Sequence, residues 1–180
     1  MTTKINVLDI ISGHWNTLKD SSTGKVSKKD IFTFYGLPLA LASLFLYNNF
    51  SLTDNLTTLL INFSAIFTAL LLSVLVLIYD QGEKIDQKDT NAVQVLKKAL
   101  LEQLYFNICY SMVVSLALIF SCLAETLSRG KQVYIPINNT VVTIDFSCII
   151  LTPIVVFLTL NLMLTILMVV KRMHTLLTTR

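Results

Sequence analysis

Four long stretches of this sequence carry no charge, and they constrain the fold more than any other feature. Asp30 and Asp54 are separated by 23 such residues, Asp54 and Asp80 by 25, Glu102 and Glu125 by 22, and Asp145 and Lys171 by 25. About 20 apolar residues, rising 1.5 Å each, cross a hydrocarbon core as a helix. Each interval is therefore long enough to span a bilayer. The spacing predicts an all-α integral membrane protein with four transmembrane helices, at about 31–49, 57–79, 104–126 and 147–170. A mean hydropathy of +0.69 agrees, although it cannot count the spans. Residues 1–30 then form an N-terminal segment outside the membrane, and 31–180 the four-helix transmembrane domain.

Orientation follows from the cations. Twelve of the fourteen Lys and Arg residues lie in the N-terminal segment, the loop between the second and third spans, and the tail; only Arg129 and Lys131 lie in the other two loops. The positive-inside rule places both termini and the middle loop in the cytoplasm. Residues 1–30 lack the apolar core of a signal peptide, so the first span serves as its own insertion signal. The polar stretch Lys19 to Phe32 has the cadence of a calcium loop. With Gly24 at the turn position, however, Lys19 occupies the first ligand position and Asp30 is the one carboxylate among six, too little charge to dehydrate the ion. Ser27 followed by Asp30 before an apolar run reads instead as a capping box at a helix start.

Ile5, Leu8, Ile11, Trp15 and Leu18 share one helical stripe, with Gly13 as a weak point. This predicts an amphipathic helix on the membrane surface or against a neighbouring subunit. In the middle loop Val93, Leu96, Leu100 and Leu104 repeat at helical spacing and run directly into the third span. A single rod from Asn91 to Thr126, with its lower third standing in the cytoplasm, is expected. On the other side, alternating residues around Asn138-Asn139 suggest a short extracytoplasmic β-hairpin-like loop, with Pro136 on an edge.

No catalytic constellation is visible. The four uncharged intervals hold no Asp, Glu, Lys, Arg or His, which argues against proton-coupled transport. His14 and His174 lack partners at metal spacing and read as solvated or interfacial. Cys109, Cys122 and Cys148 read as free buried thiols. Neither metal nor cofactor is expected. The spans do carry polar rows. Asn107, Ser111, Ser115, Cys122 and Glu125 follow one face of the third helix, and Thr152, Thr159, Asn161 and Thr165 lie on the fourth, where Pro153 removes a backbone donor. Small polar residues let membrane helices approach and hydrogen-bond. The same row, repeated around an axis by several copies, could instead line a water-filled path, with Asn107, Ser111, Ser115, Cys122, Glu125, Asn161 and Thr165 as its lining.

The stretches HWNTLKD and GKVSKKDIFTFYGLPLALA (His14 to Ala42), FSAIFTALLLSVLVLIYD (Phe63 to Asp80) and LNLMLTILMVVKRMHTLL (Leu160 to Leu177) resemble a group of small four-span bacterial membrane proteins found beside anti-phage defence genes. The likeness is greatest to the membrane effectors of Hailong systems, which are paired with a nucleotidyltransferase. The resemblance implies a homo-oligomeric, tetrameric ion channel in the bacterial cell membrane. It would be held shut by an oligonucleotide made by the partner enzyme and would open during infection to depolarise the cell and arrest growth. Lys84, Lys88, Lys97, Lys98, Lys171 and Arg172 lie at similar depth and are the candidates for holding such a polyanion, with lipid headgroups as the alternative partner. A non-conducting accessory or immunity subunit remains the competing class.

Overall fold

The structure, a computed structural model, describes residues 6–19, 27–48, 50–86, 92–130, 132–137, 140–145 and 147–178, without the side chains of 85–86, 92–93, 132–145 and 148. Ile5, most of the calcium-like stretch, Lys88 and the Asn138-Asn139 turn lie outside these residues. Helix α1 (Leu8–Thr17) comes first. The first long helix is built from α2 (Lys28–Ile31), a wide π turn (Phe32–Gly36) and α3 (Leu37–Tyr47). Then come α4 (Asp54–Asp86), α5 (Ala92–Ser128), strands β1 (Gln132–Ile137) and β2 (Thr140–Asp145), a second π turn (Ser147–Leu151) and α6 (Thr152–Thr178). Four helices are long and apolar enough to cross a membrane: Lys28–Tyr47, Asp54–Lys84, Gln94–Ser128 and Ile149–Thr178.

Local chemistry accounts for the boundaries. The Ser27 hydroxyl accepts the Asp30 N–H at 3.4 Å, so the capping box does start the first long helix. Helices α4 and α6 overrun the spans expected from the charges, because a charged residue ends the apolar run without breaking the backbone ladder. Helix α5 is a continuous rod of 37 residues, about 55 Å long. Both π turns lie immediately before a Leu37-Pro38 or Thr152-Pro153 step. A proline has no N–H for the carbonyl four residues back and crowds it, and a one-residue widening relieves both problems. At Pro38 the orphaned carbonyl is that of Phe34, and the Asn161 side-chain amide of α6 donates to it at 2.9 Å. A sequence-local defect thereby becomes a helix-to-helix bond.

Helix α5 is the hub. It packs on α1, α4 and α6, and α3 packs on α6. Half of the α5 membrane window is buried, against 11%, 17% and 28% for the windows of the first, second and fourth spans. Those three helices therefore turn most of their apolar side chains outward, as a bilayer solvent requires. Leu52, Tyr110, Val114, Leu118, Cys122, Val155 and Leu162 form one core cluster. Leu71, Ile78, Leu101, Leu104, Ile108 and Val169 form the other, nearer the chain ends. Strands β1 and β2 pair antiparallel, Gln132 opposite Asp145 through Ile137 opposite Thr140.

Helix α1 corrects two expectations. Gly13 is not a weak point but the contact point, since a Cβ there would lie 2.2 Å from a ring carbon of Phe106. The helix also packs inward mainly through Gly13, His14 and Thr17, while Leu8, Ile11 and Trp15 stay 62%, 40% and 39% exposed. Its polar face joins the bundle while Leu8, Ile11 and Trp15 look away, the reverse of a helix on a water-soluble domain; of the stripe's described residues, Leu18 is buried, at 3%.

Candidate functional site

The polar row on α5 is built by the i, i+4, i+8 spacing of Asn107, Ser111 and Ser115, continued by Cys122 and Glu125 on the same face. All five are at most 1% exposed, as are Asn161 and Thr165 on α6. The row therefore faces the chain's own neighbouring helices, not the outer surface of the bundle. Ser111 and Thr165 bond back to the carbonyls of Asn107 and Asn161, both at 2.8 Å. Ser115 donates to the Ser64 carbonyl of α4 at 2.8 Å and lies 2.7 Å from the Thr68 hydroxyl. The Asn161 side-chain Oδ1 accepts from the Tyr110 hydroxyl at 3.0 Å. In a bilayer each such bond stands in for water that is not there.

At one end of the row sits a charged cluster that the sequence did not announce. Glu125 is held on two sides by Arg129, with Nε to Oε1 at 3.1 Å and Nη2 to Oε2 at 2.7 Å, and Ser147 donates to Oε1 at 3.1 Å. Arg129 also pairs with Asp54 and reaches the Thr57 hydroxyl at 3.3 Å. Glu125 in particular, by bonding to Arg129, raises the guanidinium pKa above its ordinary value. A carboxylate this buried is tolerated because it is paired and hydrogen-bonded.

The other end is built from neutral side chains assembled across the chain, with one cation, Arg172, at its edge. The His14 ring lies flat on Tyr110, centroids 3.8 Å apart and planes within 1°. Its Nδ1 is 2.9 Å from Asn107 Oδ1, facing a carbonyl oxygen and therefore donating. The Thr17 hydroxyl lies between Asn107 Oδ1, at 2.8 Å, and the His14 carbonyl, at 2.7 Å. Arg172 of α6 clamps the end of α1, donating to the Thr17 carbonyl at 2.7 Å and to the Gln103 carbonyl at 3.4 Å. His14 is thus not solvated, as its sequence context suggested, but fully buried. Burial lowers its pKa from 6.5 to about 4; the Asn107 bond opposes that shift and Arg172 adds to it. Its Nε2, the Asn107 Nδ2 and the Ser64 Oγ are buried without a partner among the described residues. All three lie on or beside the row.

The five basic candidates among the described residues do not converge within one chain. Lys84 and Lys97 line a cavity between α4, α5 and α6. Lys98 lines the adjoining one with Glu83 and Glu102. Lys171 and Arg172 border a cleft with Asp30 and Thr17. Lys88 lies outside the described residues. Cys109 and Cys122 are free and buried. Among the described residues no three of His, Cys, Asp and Glu gather as a metal ion would need. Sequence reasoning missed His14, Thr17, Tyr110, Asp54, Thr57, Arg129 and Ser147, whose partners are mostly remote along the chain. The one local signal was the Glu125–Arg129 spacing of four. No protein-family model, curated protein or solved structure matches the chain.

Proposed function

We propose that the chain is a non-enzymatic membrane effector of bacterial anti-phage defence. Several copies, four by the resemblance, assemble in the cell membrane with both termini in the cytoplasm and conduct ions once a regulatory oligonucleotide is withdrawn. A partner nucleotidyltransferase makes that oligonucleotide, and the open state depolarises the cell and arrests growth. The β1–β2 pair lies on the extracytoplasmic side in this arrangement.

One observation carries the reading: a row of polar groups runs through the bundle from His14 to Glu125, and three buried polar atoms on or beside it have no partner among the described residues. Buried polar atoms of this kind are the places where water enters a membrane protein. The described arrangement is then the closed one, with the row zipped between helices, and opening unzips it along Ser115, Ser64 and Thr68. The test is current across a planar bilayer containing the purified chain, with and without short oligonucleotides. Stepwise currents that Ser115→Leu abolishes support the reading; a silent bilayer with correctly folded protein rejects it.

A second reading, the non-conducting accessory subunit, is favoured by the complete burial of the row inside one chain. Packing between helices alone then accounts for it. A silent bilayer together with capture of another membrane protein would select this alternative.

A further inference from the structure

The cavity between α4, α5 and α6 has a shape and a polarity that the conduction reading does not use. It encloses about 420 Å³, within the range of small-molecule sites. Its walls are Leu77 and Ile78 of α4, Leu101 and Leu104 of α5, and Met173 and Leu176 of α6, with Lys84 and Lys97 as its cations. On α5 the order from the end of the rod toward the span is Lys97, Leu101, Leu104, at i, i+4 and i+7 on one face. On α4 the order in the same direction is Lys84, Gln81, Ile78. Both helices therefore grade from ammonium to hydrocarbon toward the membrane, and Ile78, Leu101 and Leu104 close the floor of the crevice as part of the core cluster with Leu71, Ile108 and Val169. The Lys84 ammonium is anchored by Asp80 at 2.6 Å, which uses one of its three donors. Lys97 has no ion pair among the described residues. With Asp80 counted against the two lysines, this mouth carries one net positive charge.

We propose that this crevice is a binding site for an anionic phospholipid of the leaflet on the side where α6 ends. The phosphate rests on Lys84 and Lys97, and an acyl chain follows the less buried Leu176, Met173 and Leu77 toward the bilayer. The gradient of the walls is that of the lipid itself, and a singly charged headgroup matches the net charge of the mouth. Water alone would wet a hydrocarbon wall at a cost, and a polyanion would leave that wall uncovered. Basic pockets between membrane helices hold anionic headgroups in this way. The site is independent of conduction, and it competes with an oligonucleotide only for these two lysines.

The test uses the purified full chain in detergent micelles, exchanged into phosphatidylglycerol or phosphatidylcholine, with bound lipid read by native mass spectrometry. The wild-type chain should retain phosphatidylglycerol over phosphatidylcholine by about tenfold, and Lys84→Gln with Lys97→Gln should remove that preference. Leu101→Trp, which fills the crevice, should reduce retention of both lipids. Because a core substitution can fail to fold, the lysine pair decides, with its helicity checked by circular dichroism. Equal retention of the two lipids by wild type overturns the proposal. So does a preference that survives in the lysine variant, or a short single-stranded DNA that displaces no lipid yet loses binding in that variant.

Discussion

The two ends of the buried row solve the same problem in opposite ways. At the Glu125 end a full charge is buried, and Arg129, Ser147, Asp54 and Thr57 close around it until each Glu125 oxygen has a donor. At the His14 end the side chains of His14, Asn107, Thr17 and Tyr110 are neutral, the bonds cross from α1 to α5 with Arg172 held on backbone carbonyls beside them, and His14 Nε2 and Asn107 Nδ2 have no partner among the described residues. An ion-paired cluster in a low-dielectric setting resists opening, because separating it strands a buried charge. A neutral cluster with polar atoms to spare has less to lose and something to gain from water or a proton. The lesson is that burial alone does not measure rigidity; the satisfaction of the buried groups does.

The largest expected effect lies at the charged end. Arg129→Ala leaves Glu125 buried and uncompensated, and should lower stability by about 3–5 kcal/mol in thermal unfolding in detergent. Combining it with Glu125→Gln should recover most of that loss. A loss below 1 kcal/mol for the single variant would mean that the charged end is no firmer than the neutral one.

At the neutral end the lever is pH. His14 is held neutral with a pKa of about 4 against an ordinary 6.5. The unfolded chain therefore binds the extra proton between these values, and stability rises with pH across this window. The contribution, about 3 kcal/mol, is fully present above pH 6.5 and is lost as pH falls toward 4. Tyr110, stacked on the ring, and Arg172 are the other titratable or charged groups that face it. His14→Gln should flatten the profile in urea unfolding monitored between these pH values.

Gly13→Ala should cost about 1–3 kcal/mol by pushing α1 off Phe106. It should also loosen the His14 end without touching Glu125, which hydrogen exchange of the two segments can separate. The smallest effect belongs midway. Ser115→Ala removes the bond to the Ser64 carbonyl, but Thr68 keeps its own bond to that carbonyl at 2.8 Å. The loss should be about 0.6–1 kcal/mol by thermal unfolding.

How much of this the sequence disclosed depends on whether a feature is local. The four charge-free intervals, the Ser27–Asp30 cap and the α5 rod rest on neighbouring residues, and each reads directly. The direction of the polar row does not. Asn107, Ser111 and Ser115 have the same spacing whether they face water, a second copy or their own bundle. Periodicity finds the apolar stripe of α1, but only knowledge of the surrounding medium says which side turns inward. His14 and Asn107 are 93 positions apart, and Arg129 and Asp54 are 75 apart, so neither pairing leaves a local trace. Pro38 was visible, yet its consequence, a free Phe34 carbonyl for Asn161, exists only once α6 has packed.

That the His14 end is the releasable one can be tested with the chain's single tryptophan. Trp15 sits on α1 beside His14, its ring 5.3 Å from that of Tyr35. Quenching of its fluorescence by iodide, measured in detergent while pH falls from 7 toward 4, reports whether α1 leaves the bundle. The wild-type chain should become more quenchable below pH 6.5, and His14→Gln should not change over the same range. A flat wild-type profile, or an identical rise in His14→Gln, would contradict the account.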